Sequence, residues 1–205
     1  MDKHETKLTV LDQIASSDKV RRKIIDAAST LYAKKGFTET SIQEISEKSG
    51  VSLPVAYHYV KKKTEIMRMI MEDCLNLFQD SLTRQIKDID DLVERLAIAI
   101  KIYFKVVDRQ REKVLLIYQQ SGSLDRVCRS KVKQLEVDVS NIFEKIIEEG
   151  IAQGVFKKVD TDLMAYNIIM IAHMWILKRW HFKHRIDLDK YTDLQVKIIM
   201  DALKK

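Results

Sequence analysis

Glycine and proline are nearly missing from this chain: five glycines and one proline, or 6 of 205 residues. That share is roughly 3%, against an average near 12%, which leaves little for a fold built from tight turns and short strands. Two cysteines, Cys74 and Cys128, are too few for a disulfide scaffold and lack metal-ligand spacing, so a reduced, cytoplasmic setting is expected. No apolar run approaches the ~18–20 residues of a membrane span, and no segment reads as a signal peptide, so no membrane partner is expected. There is no Gly-rich phosphate loop and no GxSxG, and serine, histidine and aspartate fall in no triad order. We therefore expect no enzyme activity and no cofactor. His173, His181 and His184 have no accompanying cysteine or carboxylate cluster, so we expect satisfied or solvated histidines and no metal site.

What is present is 46% apolar and 32% charged, a globular, water-soluble composition. Net charge is +6 with pI ≈ 9.1, which permits a polyanionic partner without requiring one. Apolar spacing near 3.6 residues predicts about nine helices: 19–35, 41–49, 52–60, 63–87, 91–108, 111–120, 127–149, 162–182 and 188–203. The glycines fall where helices are expected to stop. Ser41-Ile-Gln-Glu44 and Asp91-Leu-Val-Glu94 have capping-box spacing, and Pro54 stands in a first helical turn, where a missing N–H costs nothing. Three short helices precede six longer ones. The expected fold is all-α, divided into a flexible extension (1–18), a unit of three short helices (19–62) and a core of six longer ones (63–205).

The stretch "SIQEISEKSGVSLPVAYHYVKKKTEI" (41–66) has one apolar rhythm before Gly50 and another after it. Two short helices joined by a turn containing glycine describe a helix-turn-helix. Ile45 and Val51 face inward, Ser46 lets the helices approach, Gly50 takes positive φ, and Ala56 and Tyr59 pack back on the first helix. The outward remainder is Ser52, Leu53, Val55, Tyr57 and His58. An ordinary helical hairpin has the same turn, but here Thr40, Ser41 and Ser52 sit at helix N-termini suited to phosphate oxygens. Lys61, Lys62 and Lys63 follow directly, and "KVRRK" (19–23) opens the first helix. Such amines supply salt-dependent, sequence-independent affinity for a duplex.

"GFTETSIQEISEKSGVSLPVAYHYVKKKTEI" resembles the signature of the TetR family of one-component bacterial repressors. The resemblance covers about the first third of the chain. It implies an all-helical homodimer that binds a palindromic operator in double-stranded DNA and is released by a small molecule bound in its C-terminal core. By position it implies phosphate contacts from Thr40, Ser41, Tyr57 and Lys63, and base-edge contacts from Ser52, Leu53, Val55 and His58. The chain departs from the family pattern at Pro54, where glycine is common, at Val55, where threonine often touches phosphate, and at Val60, where phenylalanine often packs. An apolar Val55 suits a thymine methyl.

In the remaining two-thirds, plain core is the default for each apolar residue. "NIIMIAHMWILKRW" is apolar over most of its circumference, more than one buried stripe needs. A thick monomer core explains that pattern too; the resemblance favours a homodimer through about 162–203. Phe78, Tyr103, Phe104, Tyr118, Phe143, Met170, Met174 and Trp175 are the candidate lining for a hydrophobic small-molecule effector. "IYQQSGSL", "FEKIIEEGIAQGVF" and "IAHMWILKRWHF", with Trp175 and Arg179-Trp180, are similar to segments of family members governing fatty-acid and acyl-CoA metabolism. An acyl-CoA or fatty acid is the expected effector, with an aromatic or drug-like hydrophobe next; Lys178, Arg179, Lys183 and Arg185 are candidate partners for CoA phosphates, with a solvated helix end the favoured reading of that run. The alternative from another class is a helical protein-binding adaptor in which the helix-turn-helix is only architecture.

Overall fold

The computed structural model describes the backbone of residues 3–205 and the side chains from Ser17 onward, Ser123 excepted; Met1 and Asp2, the start of the expected extension, lie outside the described residues. Ten helices are present among them: α1 (Lys3–Lys35), α2 (Ile42–Ser49), α3 (Leu53–Tyr59), α4 (Lys63–Ile86), α5 (Leu92–Arg109), α6 (Arg111–Gln120), α7 (Arg126–Ala152), α8 (Thr161–Leu177), α9 (Arg179–Phe182) and α10 (Leu188–Leu203). A 3-10 turn at Ser121–Ser123 and one isolated bridge, Phe156 with Lys204, complete the regular structure. The fold is all-α. None of the described helices is long and apolar enough to cross a membrane.

Three boundaries differ from the sequence expectation. α1 begins at Lys3, not near Lys19. No glycine or proline interrupts residues 3–35, and once a helix is nucleated each further residue adds a bond at little cost. α7 runs through Gly150 to Ala152 because Gly150 does not end a helix here but makes room for Phe156. The expected 162–182 helix is broken at Lys178 (φ −114, ψ 25), so α8 and α9 are separate.

Packing divides the chain into two compact units, residues up to Ile70 with Gln120–Asp125, and Met71–Gln119 with Arg126–Lys205. In the first, α1 packs on α2 and α2 on α3. Ile24, Ile25, Ala28 and Tyr32 of α1, Ile45 of α2, Ala56 of α3, and Ile66, Met67 and Ile70 of α4 are buried. Gly50 ends α2 at φ 64, in the left-handed region where a Cβ is penalised. The Ser46 hydroxyl donates to the Val51 carbonyl at 2.6 Å across that turn.

In the second unit α5 is central, packing against α7, α8 and α10. Asp91 caps it by accepting from the Glu94 N–H at 2.8 Å. Its buried stripe, Leu92, Leu96, Ala99, Ile100, Tyr103, Phe104 and Val107, follows the helical period. Each large apolar member contributes about 1.5–3 kcal/mol of burial, and Leu96→Ala would cost about 2–5 kcal/mol.

Candidate nucleic-acid interface and effector core

The α2–α3 corner is held from inside and presents one face outward. The Ser41 hydroxyl accepts from the Glu44 N–H at 3.2 Å, while the Ser41 N–H donates to Glu44 Oε2 at 2.8 Å, a complete capping box. Glu44 Oε1 also takes the Lys35 ammonium. That bond, then the two from Ser41, pulls the Glu44 carboxyl down to about 2. The N-terminus of α2 therefore already holds a carboxylate of its own.

Of the ten residues expected at DNA, most lie outward. Val55 is 41% and Tyr57 49% exposed, and Ser52, His58, Lys61 and Lys62 are exposed as well, with Leu53 half-buried. Ser52 makes no side-chain capping bond, which leaves its hydroxyl outward. α3 is thus an apolar and aromatic helix face in water, ended by exposed lysines. Val60 is buried beneath it.

Three of the expected phosphate contacts are engaged within the unit. Thr40 is 1% exposed and its hydroxyl donates to the Gly36 carbonyl at 2.8 Å. The Lys63 ammonium donates to the carbonyls of Phe37 (3.1 Å) and Thr38 (2.7 Å), with the Phe37 ring 5.1 Å below it. Ser41 is exposed, but its hydroxyl proton goes to Glu44 Oε2 at 2.9 Å. The loop carbonyls before α2 and the α1 C-terminus need donors, and Thr40 and Lys63 supply them.

In the second unit the six aromatic residues among the eight expected at the effector fall into two groups. Tyr103 lies edge-on between Phe78 (5.3 Å) and Phe143 (5.5 Å), all three buried. Buried Cys74, one α4 turn before Phe78, is pushed up to about 12 by desolvation and stays a thiol. From Tyr103 a polar line leads outward: its hydroxyl is 2.9 Å from His173 Nε2, and the Tyr118 hydroxyl is 2.7 Å from His173 Nδ1. Burial lowers His173 to about 4, so the ring is neutral at physiological pH. Half-exposed Met170 and Tyr118 form the outer end, Met174 is half-buried, and Glu136 on α7 acts electrostatically on both Tyr118 and Tyr103.

Phe104 and Trp175 belong to the other group, with Tyr191 and Phe182. Trp175 lies 5.1 Å from Tyr191 and stacks on Phe182 at 6.1 Å, and Phe104 lies 6.0 Å from Tyr191. Trp175 Nε1 and Arg179 Nη1 both donate to Asp108 Oδ1 at 2.8 Å. This joins α5 to α8 and α9 across the break at Lys178. Arg179 is thereby paired internally rather than offered to a phosphate, and Arg185 meets His181 at 3.0 Å. Adjacent Trp180 is 70% exposed. The sequence expectation missed Asp108, Tyr191 and Phe182, and took His173 as a satisfied or solvated histidine without placing it beside the effector residues; a single histidine within the apolar run of α8 was the available signal.

Residues 24–70 match the family described as "Bacterial regulatory proteins, tetR family", and residues 90–201 match "Tetracyclin repressor-like, C-terminal domain". The chain is 33% identical over 173 residues to the HTH-type transcriptional regulator HbdR of Aromatoleum sp. (strain CIB), covering 84% of this chain and 76% of that protein. Among solved structures, the transcriptional regulator FadR from Bacillus subtilis, in complex with stearoyl-CoA, superposes with a TM-score of 0.76 at 21% identity, covering 88% of this chain and 98% of that one. AibR, in complex with isovaleryl coenzyme A and operator DNA, gives 0.73 at 23% identity, covering 87% and 97%. With the helix-turn-helix of the first unit and the helical core of the second both matched in order, the chain belongs to the TetR family of bacterial transcriptional regulators.

Proposed function

We propose that this protein is a dimeric repressor that binds a palindromic operator and is released by a hydrophobic small molecule, an acyl-CoA or fatty acid. The observation that carries the reading is the outward face of α3, where Val55, Tyr57 and His58 stand in water on a short helix whose other side is fixed by Ala56, Ser46 and Gly50. Such a face fits a major groove: Leu53, Val55 and His58 meet base edges, and Ser52, Tyr57, Lys61 and Lys62 meet phosphates. Ser41 joins them only if it gives up Glu44, and Thr40 and Lys63 act as internal supports.

A second copy supplies the other half-site. Leu163 and Leu177, two heptads apart on α8, remain exposed, as do Leu194 and Ile198, four apart on α10. Two such faces meeting about a two-fold axis make a four-helix interface. Two recognition helices must stand ~34–36 Å apart to enter successive major grooves. An effector in the core of the second unit that displaces Phe78 acts on α4, the helix that continues into the DNA-binding unit, and changes that spacing. The ligands named for the FadR and AibR structures support an acyl-CoA as the effector class.

The test is anisotropy titration of labelled duplexes from the region upstream of its own gene, with sedimentation of the free protein. A palindromic fragment should bind with strong salt dependence. Ile198→Glu should give monomers with much weaker binding. A strict monomer, or indifference to every fragment at low ionic strength, would overturn the reading in favour of the adaptor.

A further inference from the structure

Three helices of the second unit each place one polar side chain on a single line through an otherwise apolar core: Tyr103 from α5, His173 from α8 and Tyr118 from α6. Exposure rises along it, from 1% at Tyr103 to 42% at Tyr118. A neutral imidazole has one N–H and one lone pair, so one tyrosine donates to the ring and the other accepts from it. Tyr103 is enclosed by Phe78 and Phe143. If it accepted, its own proton would be stranded among those rings, at the desolvation cost of an orphaned donor. Tyr103 therefore donates to Nε2, which fixes the proton on Nδ1, and Nδ1–H donates to the Tyr118 oxygen. The Tyr118 proton is then left over. Its remaining described neighbour is the Met170 sulfur at 3.7 Å, a weak acceptor on a flexible, half-exposed side chain.

The line ends, in short, in one O–H donor at the outer edge of an apolar core, with solvent and the Met170 sulfur as its acceptors until a ligand supplies a better one. Glu136 lies close enough to act on Tyr118. A second anion would be repelled there, whereas a neutral carbonyl would not.

We propose that the Tyr118 hydroxyl donates to the neutral carbonyl oxygen of the effector, a thioester rather than a free carboxylate, with His173 and Tyr103 as positioning residues behind it. This rests on the reading that the second unit takes a hydrophobic acyl effector, and the test separates the two. Wild type and Tyr118→Phe are titrated calorimetrically with butanoyl-, octanoyl- and hexadecanoyl-CoA, with the matching free acids, and with the S-alkyl-CoA thioethers, which lack the carbonyl. The expected result is that a thioester binds wild type better than its acid and thioether, and that Tyr118→Phe weakens the thioester about tenfold while leaving the thioether unchanged. His173→Asn should give an intermediate loss for the thioester alone. Equal losses for thioester and thioether, no loss for either, or preference for the acid would overturn the proposal while leaving the acyl effector standing. If no thioester, acid or thioether binds, the effector reading falls and the proposal with it.

Discussion

The Lys63 ammonium donates to the Thr38 carbonyl oxygen at 2.7 Å, joining the first residue of α4 to the loop before α2. With its second bond to Phe37, this amine supports the corner from within. Lys63→Ala should lower operator affinity by loosening that corner while leaving the slope of log K against log salt unchanged. Lys61→Ala and Lys62→Ala should each flatten the slope by about 0.9. Titrations at four or five salt concentrations separate the cases, and a flatter slope for Lys63→Ala would put that amine on a phosphate.

Glu44 ties Lys35 of α1 to the cap of α2. Its folded carboxyl titrates near 2, below the ~4.3 of an unfolded chain. It therefore stabilises above the unfolded value, and that contribution is lost as pH falls through the folded one. Urea midpoints measured from pH 6 down to pH 2 should fall for wild type, and less steeply for Glu44→Gln. Ser41→Ala should cost about 1 kcal/mol at neutral pH.

Gly150 lies under the Phe156 ring, where an added Cβ would come 2.0 Å from Cδ2 and 2.4 Å from Cε2. Gly150→Ala should therefore destabilise by about 1–3 kcal/mol. In a Phe156→Ala background the same substitution should cost almost nothing, since α-helical alanine is otherwise favourable. Thermal melts of the four proteins measure the coupling; additive losses would mean the ring is not what excludes the methyl.

His173 is held near 4 by burial, against ~6.5 when unfolded. The unfolded chain binds the extra proton first, so stability should begin to fall as pH drops below about 6.5 and go on falling to about 4. The loss should reach roughly 3–4 kcal/mol at most, at 1.36 per pKa unit. Denaturation of His173→Asn over the same range should lack this component. An unchanged profile would mean the imidazole is protonated without cost in the fold.

Much of the first unit was legible because its rules are local. Ser41 to Glu44 has capping-box spacing, Gly50 marks a left-handed turn, and the alternation of Ala56 with Val55 and Tyr57 separates inside from outside within three residues. The bonds of Thr40 and Lys63 were not legible because their partners, Gly36, Phe37 and Thr38 carbonyls, are backbone atoms that no side-chain pattern displays. In the second unit the apolar stripe of α5 was readable, but the division of its neighbours was not. Tyr103 and Phe104 are adjacent in sequence and about 100° apart around the helix, so they enter different aromatic groups. Asp108 reads as a surface residue at a helix end until Trp175 and Arg179, far along the chain, are brought to it.

That trio carries a constraint on heredity. A carboxylate in the last turn of α5 opposes the helix dipole, so Asp108 is tolerable there only while its two donors stay in place. Losing the arginine leaves the carboxylate with only an indole N–H for a partner, and losing the aspartate strands that N–H and the guanidinium. Descendants of this chain should therefore change positions 108, 175 and 179 together or not at all, and an alignment deep enough to reveal correlated substitution would find them as one inherited unit.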